Sequence, residues 1–147
     1  MDTEIIKTDL GLFKVLSVDG IIYRAYFLDK KKSVTKQNKS IIVDVKSYFD
    51  GSLTKFKSKY KTEGTPFQEL VYKEIAKIKY GSTKTYGEIA QAIGRPTAYR
   101  AVANACGSNK IALFIPCHRV IGCKTSGGYK WGCERKDWLL QFEKDNK

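Results

Sequence analysis

The chain has 147 residues, 42% of them hydrophobic, and carries 27 Lys and Arg against 15 Asp and Glu, a formal net charge of +12. That length supports one domain of about 150 residues or two small lobes; no apolar run approaches the roughly 18–20 residues of a membrane span, and Asp2 and Glu4 precede any apolar stretch, unlike a secretion signal. The four cysteines, at 106, 117, 123 and 133, form no C-x-x-C pair and are joined by a single histidine, His118, so the sequence predicts a reduced cytosolic protein without a structural metal site.

Two strand-like runs, Leu12 to Leu16 and Ile21 to Leu28, flank the turn signal Asp19-Gly20 and predict a β-hairpin. The Lys-rich segment from Asp29 to Lys39 has no periodicity and reads as a loop. Ser40 is placed to cap a helix that buries Ile41, Ile42, Val45, Tyr48 and Phe49 until Asp50-Gly51 stops it. Residues 1–60 therefore read as a small α/β lobe. The stretch from Ser52 to Gly64, with little apolar pattern beyond Phe56 and Tyr60, reads as the linker to a second lobe over residues 61–147.

That lobe opens with Thr65-Pro66-Phe67-Gln68, a capping box with Pro at the first helical position, followed by Phe67, Leu70, Val71, Ile75 and Ile78 on one helical face and Gly81 as the stop. Thr85-Tyr86-Gly87-Glu88 is a second capping box, whose short helix is expected to bury Ile89 and Ile93 and to end at Gly94. Arg95-Pro96-Thr97 then turns the chain into a helix from Ala98 to Cys106, and the pair reads as a helix-turn-helix. Its second helix is small-sided, with Ala98, Ala101, Ala103 and Ala105 around Arg100. Such helices are often simply well packed, but on a basic chain they also permit close approach to DNA, with Arg100 reaching and Thr97, Ala98, Tyr99 and Ala101 lining the approach. The charge is +5 before residue 64 and +7 after it, so a nucleic-acid face has to be folded and is not a basic tail.

Ile111 to Ile115 has the apolar signature of a buried strand, which Pro116 ends and Cys117-His118-Arg119 follows. Taken alone, a cysteine beside an apolar run is more often an inert core residue, and a lone histidine more often a satisfied hydrogen-bonding group. The surrounding residues say more. Asn109 with Ile115-Pro116-Cys117-His118-Arg119-Val120 resembles the active-site signature of the O6-alkylguanine-DNA alkyltransferases, the methylated-DNA–protein-cysteine methyltransferases. Tyr86, Arg100 in an Arg-Ala-Val run, Gly127-Gly128-Tyr129, Lys136 and Glu143 resemble further family positions, so that the resemblance covers about residues 65 to 143. Two departures are Lys130 after the loop tyrosine, where many members have Ser or Arg, and Lys110 in place of a common Pro.

The resemblance implies an α/β, ribonuclease-H-like N-terminal lobe followed by a mainly α lobe with the helix-turn-helix. It implies transfer of an alkyl group from O6-alkylguanine, and from O4-alkylthymine, in double-stranded DNA to Cys117 after the nucleotide is flipped, with no cofactor and no metal. In that scheme Cys117 is the nucleophile, His118 its base through a water, Glu143 the group that orients His118, Tyr86 a donor to the departing base, and Asn109 part of the active-site loop. Arg100 fills the gap in the duplex, Arg119 joins the DNA contacts, and Gly128, Tyr129, Lys130 and Lys136 form the substrate-side loop. A thioether is inert, so each molecule acts once; a monomer in the cytoplasm, or in the nucleus of a eukaryote, is expected. Cys106, Cys123 and Cys133 are expected to serve packing. Outside the resemblance, Glu143 reads as a surface carboxylate on a C-terminal helix packed through Trp138, Leu139 and Phe142. Competing readings are a non-catalytic sensor of alkylated bases, a helix-turn-helix regulator with a structural or redox-sensing cysteine, and a Cys-His-Glu thiol hydrolase.

Overall fold

In the computed structural model, which describes residues 2–29 and 40–147, three antiparallel strands follow one another, β1 (Asp2–Thr8), β2 (Gly11–Val18) and β3 (Ile21–Leu28). The turn between β2 and β3 is the Asp19-Gly20 pair, both with positive φ (51° and 79°), the backbone a tight two-residue hairpin demands. Phe13, Val15 and Ser17 point inward from β2; a register shift between Leu16 and Ser17 lets Ile22, Ala25 and Phe27 share the buried face of β3 despite their uneven spacing. Strand β1 has no counterpart in the sequence reading. Its inward positions are Glu4 and Ile6, and a buried carboxylate hides the alternation.

Helix α1 (Ser40–Phe49) buries the five predicted side chains and also Asp44. The Asp44 carboxylate accepts hydrogen bonds from the backbone N–H of Lys57 (3.0 Å) and Ser58 (2.9 Å) and from the Ser58 hydroxyl (2.7 Å). Residues 59–60 form β4 (Lys59–Tyr60), parallel to β3, and Phe56 lies 5.3 Å from the Tyr48 ring and 4.5 Å from that of Phe114. The stretch read as a linker is thus part of the first unit, held by one carboxylate and one aromatic ring that no local pattern announces. The loop expected from Asp29 to Lys39 lies, beyond Asp29, outside the described residues.

The chain divides into two units, Met1–Thr62 with Lys110–Phe114, and Glu63–Asn109 with Ile115–Lys147. The expected boundary near residue 60 therefore needs a correction, since Lys110–Phe114 returns to the first unit. There Ala25 N–H donates to the Lys110 carbonyl (3.0 Å) and Ala112 N–H to that of Ala25 (2.7 Å). This is a single bridge, Ala25 to Ile111, and not the expected strand from Ile111 to Ile115. The chain then turns through Leu113 at φ 69°, although all five residues are buried. Unbroken hydrophobicity reports burial; it does not report conformation.

In the second unit, α2 (Pro66–Ile75) begins at a capping box in which Thr65 and Gln68 satisfy each other's backbone N–H groups. It buries Val71, Tyr72 and Ile75 and leaves Leu70 44% exposed, so the packed face is turned toward Tyr72. The helix ends at Ala76, ahead of the predicted Gly81. After β5 (Lys84–Thr85), α3 (Tyr86–Ala92) starts at the second capping box and buries Ile89 and Ala90, with Ile93 only half-buried at its end. Helix α4 (Tyr99–Gly107) buries Val102 and Ala105, and the Tyr72 hydroxyl donates to the Ala105 carbonyl (2.9 Å). Strand β6 (Val120–Ile121) pairs in parallel with β5, and α5 (Cys133–Asn146) presents Lys136, Leu139 and Glu143 as its buried stripe. Trp138 and Phe142 stack on each other, half-exposed, beside that stripe. No described helix is long and apolar enough to cross a membrane.

Candidate functional site

The short β5–β6 ladder explains how distant motifs meet. It pairs Lys84 with Val120 and Thr85 with Ile121. Tyr86, the first residue of α3, follows β5 directly, and a 3-10 turn of Cys117, His118 and Arg119 directly precedes β6. Asn109 steadies the same turn: its side-chain amide donates to the Ile115 carbonyl (3.1 Å) and hydrogen-bonds Cys117, while its backbone N–H donates to the Cys106 carbonyl (3.2 Å).

Glu143, 1% exposed, is the hub. Its carboxylate accepts from His118 Nε2 (2.7 Å), Arg119 Nε (2.7 Å), Arg119 Nη2 (3.0 Å) and the Gly81 backbone N–H (3.2 Å). Arg119 spends its remaining reach on the Ile78 carbonyl (2.8 Å) and lies over the Tyr80 ring. Burial alone would raise the Glu143 carboxyl, but the hydrogen bonds from His118 and Arg119 and the guanidinium charge hold it well below the usual carboxylate range. It is an anion at any neutral pH.

His118 is fully buried, and burial pushes its pKa down, against the pull of Glu143 and with the help of the Arg119 and Lys136 charges. A neutral imidazole beside an anionic carboxylate carries its proton on Nε2. Nδ1 is then an acceptor, buried and without a partner among the described residues. Cys117 is buried as well. Burial and Cys106 raise its thiol well above the ordinary value, while the Asn109 hydrogen bond and the Lys136 charge act the other way. At rest the sulfur is a thiol that needs a base, and the neighbouring residue is one.

Around the sulfur, Lys136 donates to the carbonyls of Val120 (2.6 Å) and Gly128 (3.0 Å) and lies over the Tyr86 ring. Burial raises the Tyr86 phenol, with contributions from Cys106 and Cys117, so it remains a proton donor. Gly127 has φ +78°, and a Cβ there would meet the Tyr86 hydroxyl at 2.5 Å, so glycine is required for the loop to close on that phenol. The Tyr129 ring stands edge-on to His118 (6.5 Å), its hydroxyl buried and without a partner among the described residues, and burial raises that phenol strongly. Lys130 extends over Trp131, with Nζ 3.5 Å from the Asn109 carbonyl.

Cys117, His118, Glu143, Tyr86, Asn109, Gly128, Tyr129, Lys130 and Lys136 thus belong to one neighbourhood. Thr97, Ala98, Tyr99, Arg100 and Ala101 do not reach it: they sit at the start of α4, where Thr97, Tyr99 (50%), Arg100 and Ala101 are exposed. Arg119 is a correction. Expected among the DNA contacts, it is buried and holds Glu143 with Nε and Nη2, one edge of its guanidinium, because a buried carboxylate demands a buried cation. The packing role expected for the other cysteines fails for Cys123 and Cys133, which are exposed, while Cys106 is half-buried. Sequence reasoning missed Gly81 as a donor to Glu143 and Cys106 as a neighbour of the thiol. Neither carries a local signal.

Residues 66–145 match the family model described as the DNA-binding domain of 6-O-methylguanine DNA methyltransferase. A protein of Acanthamoeba polyphaga mimivirus, named a probable methylated-DNA–protein-cysteine methyltransferase, is 46% identical over 149 residues, covering 99% of this chain and 99% of that protein. The crystal structure of Mycobacterium tuberculosis O6-methylguanine methyltransferase superimposes with a TM-score of 0.90 at 34% identity, over 99% of this chain and 93% of that one. A second M. tuberculosis structure, solved in complex with DNA, agrees as well, with a TM-score of 0.90 and 34% identity over 98% and 93%.

Proposed function

This chain belongs to the 6-O-methylguanine DNA methyltransferase family, and from that premise we propose that it repairs DNA by moving the alkyl group of O6-alkylguanine onto Sγ of Cys117. The observation that carries the reading is a buried thiol next to a neutral imidazole whose Nε2 is clamped by a buried carboxylate, leaving Nδ1 to accept a proton. His118 takes the thiol proton through a bridging water, and Glu143 orients and stabilises the imidazolium that results. The thiolate attacks the alkyl carbon in line; the S–C bond forms as the C–O6 bond breaks, and the electron pair passes to the guanine. Tyr86, kept protonated by burial, donates to the departing base where that charge grows. The same displacement serves O4-alkylthymine. A thioether is chemically inert, so each molecule reacts once.

A stacked base cannot reach a buried thiol, and extrusion costs about a few kcal/mol. We read α3 and α4 as a helix-turn-helix whose exposed Arg100 enters the space the nucleotide leaves, and the first unit as the ribonuclease-H-like lobe. The deciding experiment is reaction with excess alkylated duplex followed by peptide mass analysis. One alkyl group per chain, on Cys117, is expected; sustained turnover supports a thiol hydrolase, and binding of one operator-like sequence without transfer supports a regulator.

Two further results are expected. Arg100→Ala slows single-turnover repair of saturating duplex by about tenfold or more, while transfer from free O6-benzylguanine, which needs no flipping, is nearly unchanged. Equal loss on both substrates rejects the flipping role; weaker binding with normal repair at saturation, and a salt slope flatter by about one, marks a phosphate contact only. The pH profile follows from His118. Its depressed pKa keeps the imidazole neutral below the ordinary value of about 6.5, so the rate of Cys117 alkylation by the free base stays level as pH falls through that value and drops only below it. A rate that halves at or above about 6.5 contradicts a neutral buried base.

A further inference from the structure

The buried Glu143 carboxylate is met by nitrogen on both of its oxygens. Oε1 accepts from Arg119 Nε (2.7 Å) and the Gly81 N–H (3.2 Å), while Oε2 lies 2.7 Å from His118 Nε2 and 3.0 Å from Arg119 Nη2. An ionised carboxylate has about four lone-pair sites, all of them acceptors. With an N–H aimed at each, a proton on either oxygen would face a donor, so the carboxyl group cannot itself donate to the imidazole. Arg119 is fixed in turn, since Nη1 donates to the Ile78 carbonyl (2.8 Å) and the guanidinium lies over the Tyr80 ring (5.7 Å). The short segment from Ile78 to Gly81, ahead of β5, thus holds both the clamp and the carboxylate. The other cation facing His118 is Lys136 on α5, which donates to the Val120 and Gly128 carbonyls and gives the imidazole no acceptor; the Tyr129 ring stands edge-on to it (6.5 Å).

We propose that Arg119 is a positioning residue of alkyl transfer that acts through Glu143: its two hydrogen bonds keep the carboxylate a pure acceptor, which fixes the His118 proton on Nε2 and leaves Nδ1 to accept the proton released by Cys117. Which nitrogen of an imidazole carries the proton is set by the hydrogen bond the other one makes. Removing the guanidinium opens a site on each oxygen of a buried carboxyl group, and burial favours its protonated form. The carboxyl then gains the Nε2 proton and donates it back as a hydrogen bond, while a proton from solvent goes to Nδ1. The nitrogen that has to accept from the thiol has become a donor. A purely structural ion pair behaves differently, because its loss lowers stability and leaves the tautomer of the folded protein as it was. The consequence for repair rests on the reading of Cys117 as the alkyl acceptor; the control of the tautomer does not.

His118 is the chain's only histidine, so nitrogen-15 labelling of histidine reports on this one ring. Nitrogen NMR of the full chain at neutral pH is expected to show Nε2 protonated and Nδ1 not. In Arg119→Met, which keeps an unbranched side chain and loses every donor, the proton is expected on Nδ1, and the single-turnover rate with free O6-benzylguanine falls by about tenfold or more. Arg119→Lys returns a cation without the two-pronged geometry, and it is expected to restore the protonated Nε2 with part of the rate. Circular dichroism establishes that each variant is folded; if Arg119→Met is not, the neutral Arg119→Gln takes its place in the same comparison. A proton on Nδ1 in the wild type, an unchanged tautomer in the folded neutral variant, or a near-normal rate despite the switch overturns the proposal. A tautomer that switches in a protein whose wild type transfers no alkyl group upholds the clamp and sinks the acceptor assignment instead.

Discussion

Cys117→Ser is expected to leave a folded protein that still binds alkylated DNA and to abolish transfer, a loss of at least about 10^4-fold in single-turnover rate. Serine is smaller by little and can keep the Asn109 hydrogen bond, so the 3-10 turn and the β5–β6 ladder have no reason to rearrange. What changes is the reacting atom, since an alcohol gives up its proton far less readily than a thiol, and a neutral imidazole is too weak a base to compensate. The measurement is the alkyl content of the oligonucleotide after incubation with excess protein. Removal of the alkyl group by the serine variant would end the assignment of Cys117. The exposed Cys123 and Cys133, by contrast, tolerate alanine with transfer intact.

The second large effect belongs to Glu143. Glu143→Ala strands the buried Arg119 guanidinium without its counter-charge and takes the orienting acceptor from His118. Breaking a buried pair from one side costs about 3–5 kcal/mol, and loss of an oriented base slows transfer by about 10^2-fold or more. The pH dependence has a definite sign. The Glu143 carboxyl is held well below its unfolded value of about 4.3, so its contribution to stability is present above that pH and fades as pH falls toward the folded value. The wild type therefore gains stability over the alanine variant as pH rises through the carboxylate range, after which the difference is constant. Denaturant midpoints of both proteins at pH 3 to 7 test this. A difference below about 1 kcal/mol at neutral pH would show that the cluster behaves like an exposed ion pair.

Much of this protein is written in short stretches of chain, where one residue's backbone is satisfied by a side chain three positions away. The two capping boxes, the Asp19-Gly20 turn and the apolar faces of α1 and α3 are of this kind, and they form nearly where local chemistry places them. The residues from Asn109 to Val120, with Tyr86, Arg100 and Glu143, likewise identify the family, because that combination is spelled out along the chain whatever its conformation. The shift from Leu70 to Tyr72 on α2 is a first departure, decided by the Ala105 carbonyl that the Tyr72 hydroxyl finds on α4.

The site's electrostatics belong to the tertiary structure alone. Burial turns Glu143 from a plausible surface carboxylate into the anchor of His118 and Arg119, and it withdraws Arg119 from any DNA contact; neither follows from spacing, because the partners are 24 and 25 residues apart. Strand β1 escapes notice because one of its inward side chains is Glu4, β4 because it is two residues long, and Lys110–Phe114 because hydrophobicity marks burial without saying which unit does the burying. The influence of Cys106 on the Cys117 thiol is of the same nature. They are eleven positions apart in sequence, and the return of the chain past Asn109, whose N–H donates to the Cys106 carbonyl, is what makes them neighbours. Local hydrogen bonds and periodicities are properties of the chain, legible in order; pKa values and buried pairs depend on what surrounds a group in space, which exists only once the chain has folded.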